Sequence, residues 1–148
     1  MISILTFEEE LSRAKELFEH GWYEYLDLSI TFKEHTTNHF RYVSRKEKYG
    51  VYVIRRQVTK DLIFIGKSGT ISQDGMFRSQ DIPKRLKNIR TKQTPSNKWF
   101  AELLMKYGPL SIEYVFLPTT QSPALIEALL LQAYYNQYHC LPLENKSF

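Results

Sequence analysis

The chain turns on Tyr49-Gly50-Val51-Tyr52-Val53-Ile54-Arg55-Arg56 and, after a short polar break, Asp61-Leu62-Ile63-Phe64-Ile65-Gly66-Lys67-Ser68. Both runs are rich in β-branched and aromatic residues, which is strand composition. Val58-Thr59-Lys60-Asp61 reads as the turn between them, and so short a connection makes the two strands antiparallel. Each strand carries a glycine, and together they offer an aromatic hydroxyl at Tyr52 and an ammonium at Lys67. These are groups suited to phosphate.

On the carboxyl-terminal side, Lys67 to Gln80 holds Gly69, Gly75 and several Ser and Gln, and reads as a loop. Asp81 and Pro83 then start a helix with the apolar stripe Ile82, Leu86, Ile89. Ser96 or Asn97 caps a second, holding Trp99, Phe100, Leu103, Leu104 and Tyr107 and stopped by Gly108-Pro109. Leu110 to Leu117 alternates as a third strand. Ser122-Pro123 opens a long helix to about Tyr138, closed by Leu141-Pro142-Leu143. The order β, β, α, α, β, α predicts an α+β fold, a small sheet of about three mostly antiparallel strands flanked by helices.

On the amino-terminal side, residues 1–48 read as an extension. Thr6 and Glu9 form a capping box, Phe7, Leu11, Ala14 and Phe18 follow at helical spacing, and Gly21 is a stop, so a helix is expected over Phe7 to His20. Trp22 to Phe32 reads as extended. His35 and His39 are four apart, but no helical pattern or further ligand supports a metal pair, and a polar loop is expected. Arg41, Arg45, Lys46 and Lys48 form a basic stretch broken by Glu47. Residues 49–148 form the compact domain.

At 148 residues the chain suits one core, and its formal charge of +4 permits an anionic partner without requiring one. A single cysteine, Cys140, excludes an internal disulfide. No stretch nears the about 20 apolar residues of a membrane span, and Glu8, Glu9 and Glu10 follow the amino terminus where a leader would be apolar. A cytoplasmic protein with no membrane partner is expected.

Three features carry chemistry. Glu127 lies in Ala124-Leu-Ile-Glu-Ala-Leu-Leu-Leu, where a carboxylate is costly unless it binds a cation, pairs with Lys or Arg, or reaches water at an edge. Arg85 flanks the Ile82/Leu86/Ile89 stripe. From Lys84 to Lys98 there are six basic residues and no acidic one, with Lys84, Lys87, Arg90, Lys92 and Lys98 around Arg85, either a platform for phosphates or a solubilising face. Gly66-Lys67-Ser68 is not a P-loop tail, because Asp61 stands where that motif needs glycine.

Gly50-Val51-Tyr52, eleven residues, then Phe64-Ile65-Gly66-Lys67 resembles the paired signature of the GIY-YIG nuclease domain, over about residues 49–148. Arg85-Leu86 resembles that family's helix arginine, Glu127 its metal-binding glutamate, and Asn145 the asparagine near the domain end. Phe64 departs from the second tyrosine, Ile89 from a common His or Tyr, and the loop between Gly66 and Arg85 is longer than in compact members. The resemblance implies a metal-dependent endonuclease hydrolysing phosphodiesters, with DNA as substrate. Glu127 would hold one Mg2+ or Mn2+, Tyr52 would accept a proton with Lys67 lowering its pKa, Arg85 would face phosphoryl oxygens, and Asn145 would orient water or the glutamate. Basic residues 84–98 would bind the nucleic acid. The alternative is a weakened or inactive nucleic-acid-binding module of the same fold. Target selection is expected from residues 1–48, from Ser68 to Gln80 or from a partner, since only three residues follow Asn145. Double-strand cutting from one site would call for a homodimer.

Overall fold

A computed structural model describes residues 5–25, 32–34, 49–78 and 102–148. Its centre is a five-stranded antiparallel sheet in the order β2-β1-β7-β3-β4. The strands are β1 (His20–Tyr25), β2 (Phe32–Glu34), β3 (Tyr49–Arg56), β4 (Leu62–Ser68) and β7 (Leu110–Leu117). A separate two-stranded ribbon pairs β5 (Thr70–Ile71) with β6 (Phe77–Arg78). Helix α1 is Phe7–Leu17 and helix α2 is Pro123–Tyr138; residues 102–107 are also helical. The fold is α+β, with helices on both sheet faces.

The three strands expected from sequence are adjacent, with β3 between β7 and β4. The sheet is wider than expected because the amino-terminal segment enters it: β1 runs along β7 from His20↔Val115 to Tyr25↔Leu110. This pairing also shortens α1. The helix stops at Phe18 rather than His20, and Gly21, read as a stop, is a strand residue opposite Tyr114. The capping box forms: the Thr6 hydroxyl accepts from the Glu9 amide at 3.2 Å, and the Glu9 carboxylate accepts from the Thr6 amide at 3.0 Å. Ser122 caps α2, which runs to Tyr138 as expected and is capped by His139 in the left-handed region, ahead of Leu141-Pro142-Leu143. The loop expected over Lys67 to Gln80 instead extends β4 and folds into the β5–β6 ribbon. The expected helix after Asp81, and the start of the one after Asn97, lie outside the described residues.

Strand alternation divides the core in two. Tyr52, Ile54, Ile112, Tyr114 and Phe116 pack with Leu103 and Leu104 on one face. Val51, Val53, Ile65, Val115 and Leu117 pack on the other against Phe7 and Leu11 of α1 and Leu130 and Leu131 of α2. Residues 7–18 therefore share a core with the signature strands.

A charge cluster pins α1 to this second face. Arg55 donates from both terminal nitrogens to Glu8 (2.7 and 2.8 Å) and from Nε to Glu113 (2.8 Å), and its guanidinium lies 5.6 Å from the centre of the Phe7 ring. Lys15 donates to the second Glu113 oxygen. Burial alone would raise the Glu113 carboxyl, but the hydrogen bonds from Lys15 and Arg55 hold it below the usual carboxylate range. Burial likewise opposes the Arg55 charge, and Glu8 and Glu113 more than offset it. Among the described residues no helix is long and apolar enough to cross a membrane.

Candidate functional site

The signature strands are in register so that Tyr52 stands directly opposite Gly66 and Ile54 opposite Phe64. The three residues Tyr52, Phe64 and Gly66 therefore share one face. The Tyr52 ring lies across the glycine: a methyl group at position 66 would stand 2.6 Å from Tyr52 Cζ, 2.7 Å from its hydroxyl oxygen and 2.6 Å from Phe64 Cε2. The Tyr52 and Phe64 rings are 6.1 Å apart. Gly66 is thus the only residue type that leaves room for the tyrosine, which ties the two halves of the signature to each other.

β4 is the sheet edge, and its outer side is covered by the segment after α2. Asn145 donates from Nδ2 to the Ile65 carbonyl and accepts on Oδ1 from the Ile65 amide, both at 2.9 Å, and the Glu144 amide donates to the Ile63 carbonyl at 2.9 Å. The side-chain amide stands in for a neighbouring strand and closes an edge that would otherwise be open to pairing. The Glu144 carboxylate accepts from the Tyr107 hydroxyl at 2.6 Å and from Lys106 at 3.0 Å, and these two donors hold it below the ordinary carboxylate range. One short segment so joins the edge of β4 to residues 102–107 beside the Tyr52 face.

Against this edge lies a pocket of about 400 Å³ lined by Phe64, Ile65, Glu127, Asn145, Lys146 and Phe148, among others. Glu127 reaches it half-buried from α2. The carboxylate that stands out in the apolar helix is therefore at the helix margin, where pocket and strand meet.

The role expected of Lys67 needs correcting. Lys67 stands opposite Val51 and so belongs to the face away from Tyr52; its Nζ donates to the Gly69 carbonyl and the Thr70 hydroxyl, both at 3.4 Å. It is not placed to lower the Tyr52 pKa, and Tyr52 itself is buried, at 3% exposure. Asn145 uses Oδ1 and one Nδ2 proton on Ile65, which fixes its side chain along β4 in the pocket that Glu127 also lines. Arg85 and the basic residues Lys84, Lys87, Arg90, Lys92 and Lys98 lie outside the described residues, as do His35 and His39. Among the described residues no group of three or more His, Cys, Asp or Glu is arranged to hold a metal ion.

Two features went unread in the sequence. One is the Arg55–Glu113 cluster, whose signal was Glu113 alone in the apolar run Leu110 to Leu117. The other is Glu144, adjacent to the asparagine and bonded to Tyr107. Comparison of the chain with protein-family models, with curated proteins and with solved structures gives no match.

Proposed function

We propose that the chain is a GIY-YIG-like, metal-dependent endonuclease acting on nucleic-acid phosphodiesters, with DNA as substrate. One observation carries the reading. Landmarks at positions 52, 127 and 145, widely separated in sequence, meet on three consecutive β4 residues: Tyr52 covers Gly66, Asn145 holds Ile65, and Glu127 shares a pocket with Phe64 and Ile65.

The donor set suits a divalent ion of the Mg2+ type. Such an ion takes one or two carboxylates and keeps several waters, and Glu127 lines an open pocket with volume for them. Mg2+ or Mn2+ held there would neutralise phosphate charge and assist the leaving oxygen. Glu127 is the ligand in this reading. Lys146, which also lines the pocket, supplies a cation for a phosphate oxygen, and Arg85 is assigned to the phosphoryl group. Tyr52 keeps Gly66 and Phe64 in place beneath the pocket wall. Glu144, ionised by Tyr107 and Lys106, adds negative potential that favours a bound cation.

A second reading is a module of the same fold that holds nucleic acid without cutting it. Specific observations favour it: Tyr52 is buried, Lys67 is on the opposite face, and the signature aromatic that does reach the pocket, Phe64, has no hydroxyl. A plasmid-nicking assay with Mg2+ or Mn2+ separates the two, comparing wild type, Glu127→Gln and Phe64→Tyr. Nicking by wild type that falls at least about 100-fold in Glu127→Gln, with DNA retention unchanged, supports the nuclease. Retention without nicking, in wild type and Phe64→Tyr alike, supports the module. Neither nicking nor retention would sink both.

A further inference from the structure

Helix α2 carries one charged residue, Glu127, between Pro123 and Tyr138. Its buried side packs into the core, where Leu130 and Leu131 meet Phe7 and Leu11 of α1. On the other side Leu125, Leu129, Gln132 and Asn136 follow at intervals of four, three and four residues. That is the repeat of a coiled-coil seam, and at about 100° per residue it holds the four to one narrow stripe. None of them is buried: Leu125 is 53% exposed, Leu129 and Gln132 are half-buried and Asn136 is exposed. A helix side turned to water ordinarily carries charge, and α1 does, with Glu9, Arg13 and Glu16 exposed. The α2 stripe carries none. Leu17, 65% exposed at the end of α1, lies beside its apolar half and shares a groove of about 230 Å³ with Leu125 and Leu129.

We propose that a second copy of this chain docks on the stripe, with α2 parallel to α2 about a two-fold axis. The stripe is divided along its length into two leucines and then two amides, Gln132 Nε2 donating to Asn136 Oδ1 at 2.8 Å. Parallel pairing in register sets leucine on leucine and amide on amide. An antiparallel pair would set Leu129 against Gln132 and bury an amide on apolar carbon. The Gln132 amide is donor and acceptor at once, so it matches its own copy. Charge points the same way. At a formal +4 two copies repel, and an uncharged stripe lets them meet without like charges in contact. An acidic or basic partner would find no counter-charge there. The patch also offers protruding leucines and a groove on one surface, as an interface between two identical faces requires.

The seam is short, about 17 Å from Leu125 to Asn136, so association is weak and concentration-dependent. Glu127 lies two residues from both Leu125 and Leu129, about 160° round the helix from each, so pairing leaves its pocket facing outward. Association of this kind needs no nucleic acid, and its test is independent of the nuclease reading. If the chain cuts, the pair supplies the second site that double-strand cutting calls for.

The whole chain is followed by sedimentation velocity from micromolar to millimolar concentration, under reductant so that the exposed Cys140 does not link copies. A mass rising towards that of two chains is expected. Leu129→Lys and Leu129→Glu each set like charges face to face across a parallel pair and should raise the dissociation constant at least about tenfold. Mixed together, the two variants should associate again, because position 129 then meets its opposite charge. Ser12→Lys, exposed on the charged side of α1, should leave the mass curve unchanged. Should a variant at 129 fail to fold, Leu125→Lys and Leu125→Glu repeat the pair at a more exposed position. A monomer throughout the range overturns the interface, as does a dimer that these variants leave intact. A dimer broken by each variant and not restored by the mixture overturns the parallel register.

Discussion

Gly66→Ala tests whether the two signature strands depend on each other as the geometry requires. The added methyl would sit 2.6 Å from Tyr52 Cζ and from Phe64 Cε2, and 2.7 Å from the Tyr52 hydroxyl oxygen. Those separations are about 1 Å inside the relaxed distance of about 3.5–4.0 Å for such atoms. Phe64 is half-buried at the sheet edge and can turn away. Tyr52 is 3% exposed and packed among core residues that include Ile54, Tyr114 and Phe116, so it must shift within a close-packed core. Overpacking of this kind costs about 1–3 kcal/mol. Replacing glycine returns about 0.5–1 kcal/mol through the unfolded chain. At the middle of both ranges the net loss is about 1 kcal/mol, lowering Tm by about 2–4 °C at this chain length. The control is Tyr52→Leu, which removes Cζ and the hydroxyl. In that background Gly66→Ala should be neutral or stabilising, giving a coupling of about 1–2 kcal/mol in the double-mutant cycle. Calorimetry or circular dichroism reads all four proteins. A Gly66→Ala variant that melts at or above wild type would refute the packing argument.

The Glu113 carboxyl has a folded pKa below its unfolded value, so its stabilising contribution is present above the unfolded pKa and lost as pH falls through the folded one. Unfolding free energy should therefore decline below about pH 4, and Glu113→Gln should flatten that decline while lowering stability at neutral pH; an unchanged acid limb in denaturant titrations would contradict this. Asn145→Asp keeps an acceptor for the Ile65 amide but sets a carboxylate against the Ile65 carbonyl. It should cost about 1–3 kcal/mol and speed hydrogen exchange at Ile65, whereas unaltered exchange there would show that the edge does not rely on this residue.

Local signals were the ones that could be read in the sequence. The runs at 49–56 and 62–68 declare themselves by β-branched and aromatic composition and 110–117 by alternation, and Thr6 with Glu9, or Ser122 with Pro123, are complete statements about a helix start. What the sequence withheld depends on long-range partners. By local rules His20 is the last residue of a helix and Gly21 its stop, and both become strand because β7 offers six successive partners to His20–Tyr25. The ribbon strands are two residues each, too short to show a period, and are held by Tyr49 against Phe77. The site landmarks could be ordered by spacing, but the face each one occupies follows from register. Pairing Tyr52 with Gly66 fixes Phe64 on its face and sends Lys67 to the other. A register shift between Ile54 and Arg55 further along the same pair is likewise invisible in composition.

Register also decides what Phe64 means. Tyr52 is on β3, an interior strand, so its ring is closed in by neighbours on both sides. Phe64 is on β4, an edge strand whose outer side is bonded, among the described residues, by the segment around Asn145. Of the two aromatic positions in the signature, it is therefore position 64 that meets the pocket containing Glu127. A hydroxyl lost at 52 would be lost to the core, while the one missing at 64 is missing from the pocket wall. Glu127 and Lys146 line that pocket, and in the proposed reading Glu127 would be a metal ligand and so a poor proton acceptor. The proposal of an enzyme therefore places its weight on Arg85 and on the water that an ion at Glu127 would carry. That asymmetry explains why Phe64→Tyr and Glu127→Gln, rather than any change at Tyr52, separate a nuclease from a binding module.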